Sequence, residues 1–98
     1  MAVNRDYELV MVLSPILDTE QVAMVVEGIH NIITSGGGEL LAHEPWGIKR
    51  LAYPIDDFTE GNYSLTQFKG DASHTKQIEE SLRLSESVIR HLLVKRES

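Results

Sequence analysis

Four histidines, His30, His43, His74 and His91, are the side chains best suited to holding a metal or moving a proton near neutral pH. They are scattered singly. None has the i, i+4 companion or the neighbouring carboxylate of a recognisable ligand set, so separate surface or partly buried roles are expected. His91, in Ile89-Arg90-His91-Leu92, is the one placed mid-strand. Cysteine is absent, which removes disulfides, thiolate nucleophiles and thiolate metal sites, and suits a reducing compartment. The carboxylate pairs Asp56-Asp57 and Glu79-Glu80 fall in a turn and on the wet face of a helix, where solvated charges are the ordinary reading. No serine has the glycines of a nucleophile elbow or a base with its orienting partner. Gly36-Gly37-Gly38 follows a helix, whereas phosphate loops precede one, so it reads as a helix stop. No catalytic residue, metal ligand or cofactor is assigned, and no small-molecule substrate is expected. The chain does not read as an enzyme.

What remains is the run Trp46-Gly47-Ile48-Lys49-Arg50-Leu51-Ala52-Tyr53-Pro54, which joins adjacent cations to the only tryptophan. Two readings stay open. In one, Leu51 and Tyr53 fill a core while Lys49 and Arg50 stay wet. In the other, the run is a recognition edge, with Arg50 on phosphate and Trp46 buried against a partner. The overall charge bears on that choice. Nine Lys and Arg face fifteen Asp and Glu, a net charge of −6 at pH 7. Such a chain repels polyphosphate at long range and needs a local basic patch or a basic companion to approach RNA.

The elements that must position this run can be read from periodicity. Ninety-eight residues, 42% hydrophobic and 24% charged, predict one domain over residues 1–98. Tyr7, Leu9, Met11 and Leu13 alternate with Glu8, Val10 and Val12, a strand ended by Ser14-Pro15. Asp18 and Gln21 form a capping box for a helix with the stripe Val22, Val25, Val26, Ile29 and Ile33. A second strand region spans Leu40 to Tyr53, interrupted near Pro45-Trp46-Gly47, where Pro45 argues for an edge or a bulge. Pro54 to Gly61 reads as a hairpin connection. A third strand carries Tyr63, Leu65 and Gln67 on one side and Ser64, Thr66 and Phe68 on the other. A short helix with Ile78 and Leu82 and a last strand, Val88 to Val94, complete the chain.

The order β-α-β-β-α-β with right-handed crossovers predicts an α+β, ferredoxin-like two-layer sandwich. Its four-stranded antiparallel sheet has the order 4-1-3-2, with strand two at an edge. The longest apolar run, Leu9 to Leu13, is far short of the ~18 residues a membrane span needs. The N-terminus lacks the pattern of a signal peptide. A cytoplasmic protein with no membrane partner is expected.

At the basic run the sequence resembles a known family. Gly47-Ile48-Lys49-Arg50-Leu51-Ala52-Tyr53-Pro54-Ile55 is similar to the signature of the bacterial small-subunit ribosomal protein S-six family. Tyr7-Glu8, Gly61 with Tyr63, Leu82-Arg83-Leu84, Val88 and Val94-Lys95 match in the same order, so the likeness spans essentially the whole chain. The resemblance implies a structural, RNA-binding protein of translation. It would bind the central domain of small-subunit rRNA with the basic ribosomal protein S-eighteen during assembly. It also implies core roles for Tyr7, Leu9, Met11, Leu51, Tyr53 and Leu65, and basic signature roles for Lys49 and Arg50. With Arg5, Arg90 and Lys95, chosen on charge and placement, these two make up the candidate rRNA-facing cations. Trp46 and Ile48 are the candidate contacts for the protein partner. Asp56 and Asp57 stand where relatives usually carry other chemistry, which argues against a phosphate contact there. The long acidic tail of many relatives is not present before Ser98, and its functions are not assigned.

Two rivals share the fold. A general RNA-recognition module would stack bases on aromatics of the central strands, but Tyr63 and Phe68 fall on opposite faces and strand one offers only Tyr7. A small-molecule-binding regulatory domain would associate as a homo-oligomer, and Val10 and Val12, facing away from the helices, would suit its interface.

Overall fold

The computed structural model describes residues 4–96. Strand β1 (Asn4–Leu13) is followed by α1 (Thr19–Ser35), β2 (Glu39–Ile55), β3 (Phe58–Asp71), a 3-10 turn at Ala72–His74, α2 (Thr75–Leu84) and β4 (Val88–Arg96). The sheet order is β2-β3-β1-β4, the expected 4-1-3-2 read from the other edge, and all three pairings are antiparallel. Each helix therefore crosses over one intervening strand, and β2 and β4 are the edges.

Local chemistry sets the ends of α1. Asp18 Oδ1 accepts from the Gln21 amide at 2.8 Å, and Gln21 Oε1 accepts from the Asp18 amide at 2.9 Å, so the capping box forms. At the far end the amide of Gly38 donates to the Ile33 carbonyl and that of Gly37 to the Thr34 carbonyl, the two bonds of a Schellman turn. The glycine run thus stops the helix, as its position predicts.

The core lies between the helices and one sheet face. Tyr7, Leu9, Met11 and Leu13 of β1, Phe68 of β3, Ile29 and Ile33 of α1, and Ile78 and Leu82 of α2 form a single buried cluster. The ring of Tyr7 stacks on that of Phe68 with centroids 5.3 Å apart. Full burial of a side chain such as Leu82 contributes roughly 1.5–3 kcal/mol, so this one cluster supplies the main driving force for folding. His74 ties the helices together, donating from Nε2 to the Ile32 carbonyl at 2.8 Å.

The opposite sheet face carries no helix, although Val12 on it is buried at 3% exposure. Cross-strand partners share a face, so Val10 and Val12 lie with Leu92 and Arg90 of β4 and with Leu65 and Tyr63 of β3. Two salt bridges cross this face, Arg96–Glu8 at 3.0 Å and Lys69–Asp6 at 4.0 Å.

The second strand region is one continuous edge element, and its interruption is the bulge that Pro45 argues for, a register shift at Pro45/Gly47. Three expectations need correction. Leu65, implied as core by the resemblance, pairs with Val10 on the face away from the helices and is only half-buried. The connection read as Pro54 to Gly61 shrinks to two residues. Ile55 pairs with Phe58, and Asp56 and Asp57 take φ of 50° and 68°, as a type I′ hairpin turn demands. An edge strand tolerates Pro45 and Pro54 because their missing donors can face outward. Tyr53 is not core: it is 56% exposed, whereas Leu51 is 8% exposed. Beyond Asn62, which pairs with Leu13, the β2–β3 hairpin outruns β1 and loses the cover that an inward position requires.

Candidate nucleic-acid interface

The basic run occupies the part of β2 where pairing with β3 is least regular. Pro45 pairs with Ser64 and Gly47 with Tyr63, leaving Trp46 as the extra residue of a bulge. Gly47 takes φ 81° there, a left-handed conformation that a side chain would strain. The bulge turns Trp46 outward at 40% exposure, and Ile48 follows at 50%. Both are large apolar side chains on an edge strand.

Lys49 pairs with Gly61 and Arg50 with Glu60, so the two adjacent cations point to opposite faces of the hairpin. Lys49 Nζ lies 5.2 Å from the centre of the Trp46 ring, a cation–π contact that orders both. The described salt bridges involve neither Lys49 nor Arg50, and both side chains are exposed.

The hairpin arm is held down at a second point. Arg90 of β4 donates from Nη1 to Tyr53 Oη at 2.7 Å, with its guanidinium 5.6 Å from the centre of that ring. Gly61 lets the hairpin lie close against β1, because a Cβ there would run into Val12 Cγ1. Arg90 keeps further N–H groups for a ligand, since guanidinium carries five. Lys49, Arg50 and Arg90 therefore gather at one end of the sheet.

Arg5 and Lys95 do not join them. Arg5 pairs with Gly70 and Lys95 with Tyr7, at the other end of the strands. From Arg5 to Val12, the partner of Arg90, is seven residues of strand, roughly 23 Å. The five candidate cations form two exposed groups rather than one patch.

Sequence reasoning missed two contacts. The Arg90–Tyr53 pair joins opposite edges of the sheet, and no local signal announces it. His30 and His43, expected to act separately, meet: their rings are edge-on with centroids 4.9 Å apart, and each has a nitrogen near Thr66 Oγ1. Among the described residues no group of three or more His, Asp and Glu side chains is placed to hold a metal ion. No described helix is long and apolar enough to cross a membrane. The aromatic platform of a general RNA-recognition module is not built, because Phe68 is buried against Tyr7 and Tyr63 is the lone aromatic on the helix-free face of the two central strands.

A sequence profile described as ribosomal protein S6 matches residues 6–95, nearly the full length of the chain. The chain belongs to the ribosomal protein S6 family. Among its relatives, the small ribosomal subunit protein bS6 of Syntrophomonas wolfei is 42% identical over 94 residues, covering 95% of this chain and 97% of that protein. The bS6 protein of Clostridium acetobutylicum is 42% identical over 88 residues, covering 90% and 93%. The crystal structure of 30S ribosomal protein S6 from Thermotoga maritima superposes with a TM-score of 0.91 at 27% identity, covering 96% of this chain and 89% of that one. These names describe a structural component of the ribosome and not an enzyme. The family likeness read from the signature and the fold read from periodicity are both borne out.

Proposed function

We propose that the protein is a structural component of the small ribosomal subunit that binds central-domain rRNA together with ribosomal protein S-eighteen during assembly. The family match over residues 6–95 carries this reading. The geometry supports it in two ways. Lys49 and Arg50 are exposed, form none of the described salt bridges and project to both sides of an edge hairpin, where they can meet phosphates on either side. Trp46 and Ile48 add exposed apolar surface beside them, the kind of anchor a protein partner buries.

The partner answers the charge problem. A chain of net charge −6 gains little from displacing counterions by itself. Joined to a cationic companion, it presents Lys49, Arg50 and Arg90, and at the other end Arg5 and Lys95, within a surface that is positive overall. Titrating a central-domain rRNA fragment by calorimetry or filter binding tests this. The pair should bind far more tightly than this protein alone, and equal affinities would remove the cooperative argument.

A further inference from the structure

His30 on α1, Thr66 on β3 and His43 on β2 span three elements at one point. His30 Nε2 lies 3.1 Å and His43 Nδ1 3.0 Å from Thr66 Oγ1, and Thr66 is fully buried. A hydroxyl has one hydrogen to give and lone pairs to accept. With both rings neutral, Thr66 donates to one nitrogen and accepts an N–H from the other. A first added proton enters at the far nitrogen of the donating ring and leaves both hydrogen bonds intact. A second proton has no such place. It converts the accepting nitrogen into a donor, strands the Thr66 hydrogen in a buried position, and sets two cations against each other with ring centres 4.9 Å apart.

We propose that His30, Thr66 and His43 form a proton-sensitive clasp that fastens α1 to the edge strand β2 and releases when both rings are charged. His43 lies on the exposed edge and donates to Thr66, while the partly buried His30 accepts from Thr66, so that burial and a charge on His43 both resist its protonation. The other ionisable side chain lining the groove between these elements is Glu27, one turn earlier on α1, which is exposed and attracts protons to the rings rather than repelling them. The remaining lining side chains of α1, among them Val22, Ala23 and Val26, are apolar or uncharged. Beneath the rings Thr66 faces Leu9 of β1, and Glu44 of β2 pairs with Leu65 on the other side of the sheet. Nothing described there offsets a double positive charge except Glu27.

Burial, and then the His43 charge, hold the His30 pKa below the 6.5 of an unperturbed histidine. The sign follows from linkage. On the acid side the unfolded chain binds more protons than the folded one, so this stability is complete above about pH 6.5 and is lost as pH falls through the lowered His30 value.

Histidine-ring NMR titration with amide exchange of Leu40 to Glu44 tests the clasp on the full chain. In the unmodified protein, opening of these β2 amides, corrected for intrinsic exchange, should rise by up to about tenfold for each pH unit between about pH 6.5 and the lower His30 midpoint, and level off below it. His43→Gln should move the His30 midpoint upward. His30→Gln, whose amide oxygen still accepts from Thr66 but takes no proton, should flatten the acid dependence of the β2 amides. A His30 midpoint unmoved by His43→Gln, or β2 amides with the same acid dependence in His30→Gln, would overturn the proposal; the first of these stands even if His30→Gln fails to fold.

Discussion

Lys49 and Arg50 are neighbours in the chain and strangers in space. Pairing with Gly61 and Glu60 sends them to opposite faces, so each meets a phosphate independently or not at all. Charge reversal at Lys49 alone should therefore lower the slope of log affinity against log salt by about one, for the pair with S-eighteen on rRNA, and reversal of both by about two. Equilibrium binding across a salt series measures this. A slope unchanged by both substitutions would show that neither touches phosphate. Lys49 carries a second consequence through Trp46, because losing the cation–π contact frees the indole. The basic pair was legible in the sequence as adjacent cations in an anionic chain. Arg90 was legible only as a charge, since its bond to Tyr53 depends on how the far edge of the sheet is brought near.

At the scale of elements, locality decided what could be read. The Asp18–Gln21 box and the stripe through Ile29 and Ile33 are written in residues three and four apart, and both appear as read. The hairpin was harder. Pro54, Asp56 and Gly61 look like one long connection until Ile55 is found paired with Phe58, which confines the turn to Asp56-Asp57. Tyr53 follows the alternation of a buried strand, yet that part of β2 has only the short beginning of β3 as its neighbour, so alternation there no longer reports burial. The turn itself is open to improvement. Both aspartates hold positive φ, which asparagine and glycine adopt more easily. Replacing Asp56-Asp57 with Asn-Gly should stabilise the protein by roughly 0.5–1 kcal/mol, read as a higher urea midpoint with an unchanged slope. A lower midpoint would mean that the aspartate side chains contribute something the turn geometry does not show.

For the whole molecule, the sign of its charge bears on how it would find the basic companion proposed above. A net charge of −6 attracts a basic protein over a distance of about a Debye length, ~10 Å in 0.1 M salt. Stopped-flow association with S-eighteen should therefore slow steeply as salt rises, while dissociation changes little. The reverse pattern would place the attraction in short-range contacts. The two cation groups, on strand ends roughly 23 Å apart, suit an extended RNA surface better than one small ligand. The molecule is itself elongated, 44 Å in its long dimension against 25 and 22 Å.

The hairpin that carries the basic run extends past β1 and is pinned through Arg90–Tyr53 and Leu51. A two-stranded ribbon is marginal in water when left to itself. Its tip is thus the segment a protease would nick first, and under the proposed function its digestion should stop in the assembled small subunit. On that proposal, cleavage near Phe58 would serve as a clock for assembly, dating the moment at which this arm passes from solvent into the particle.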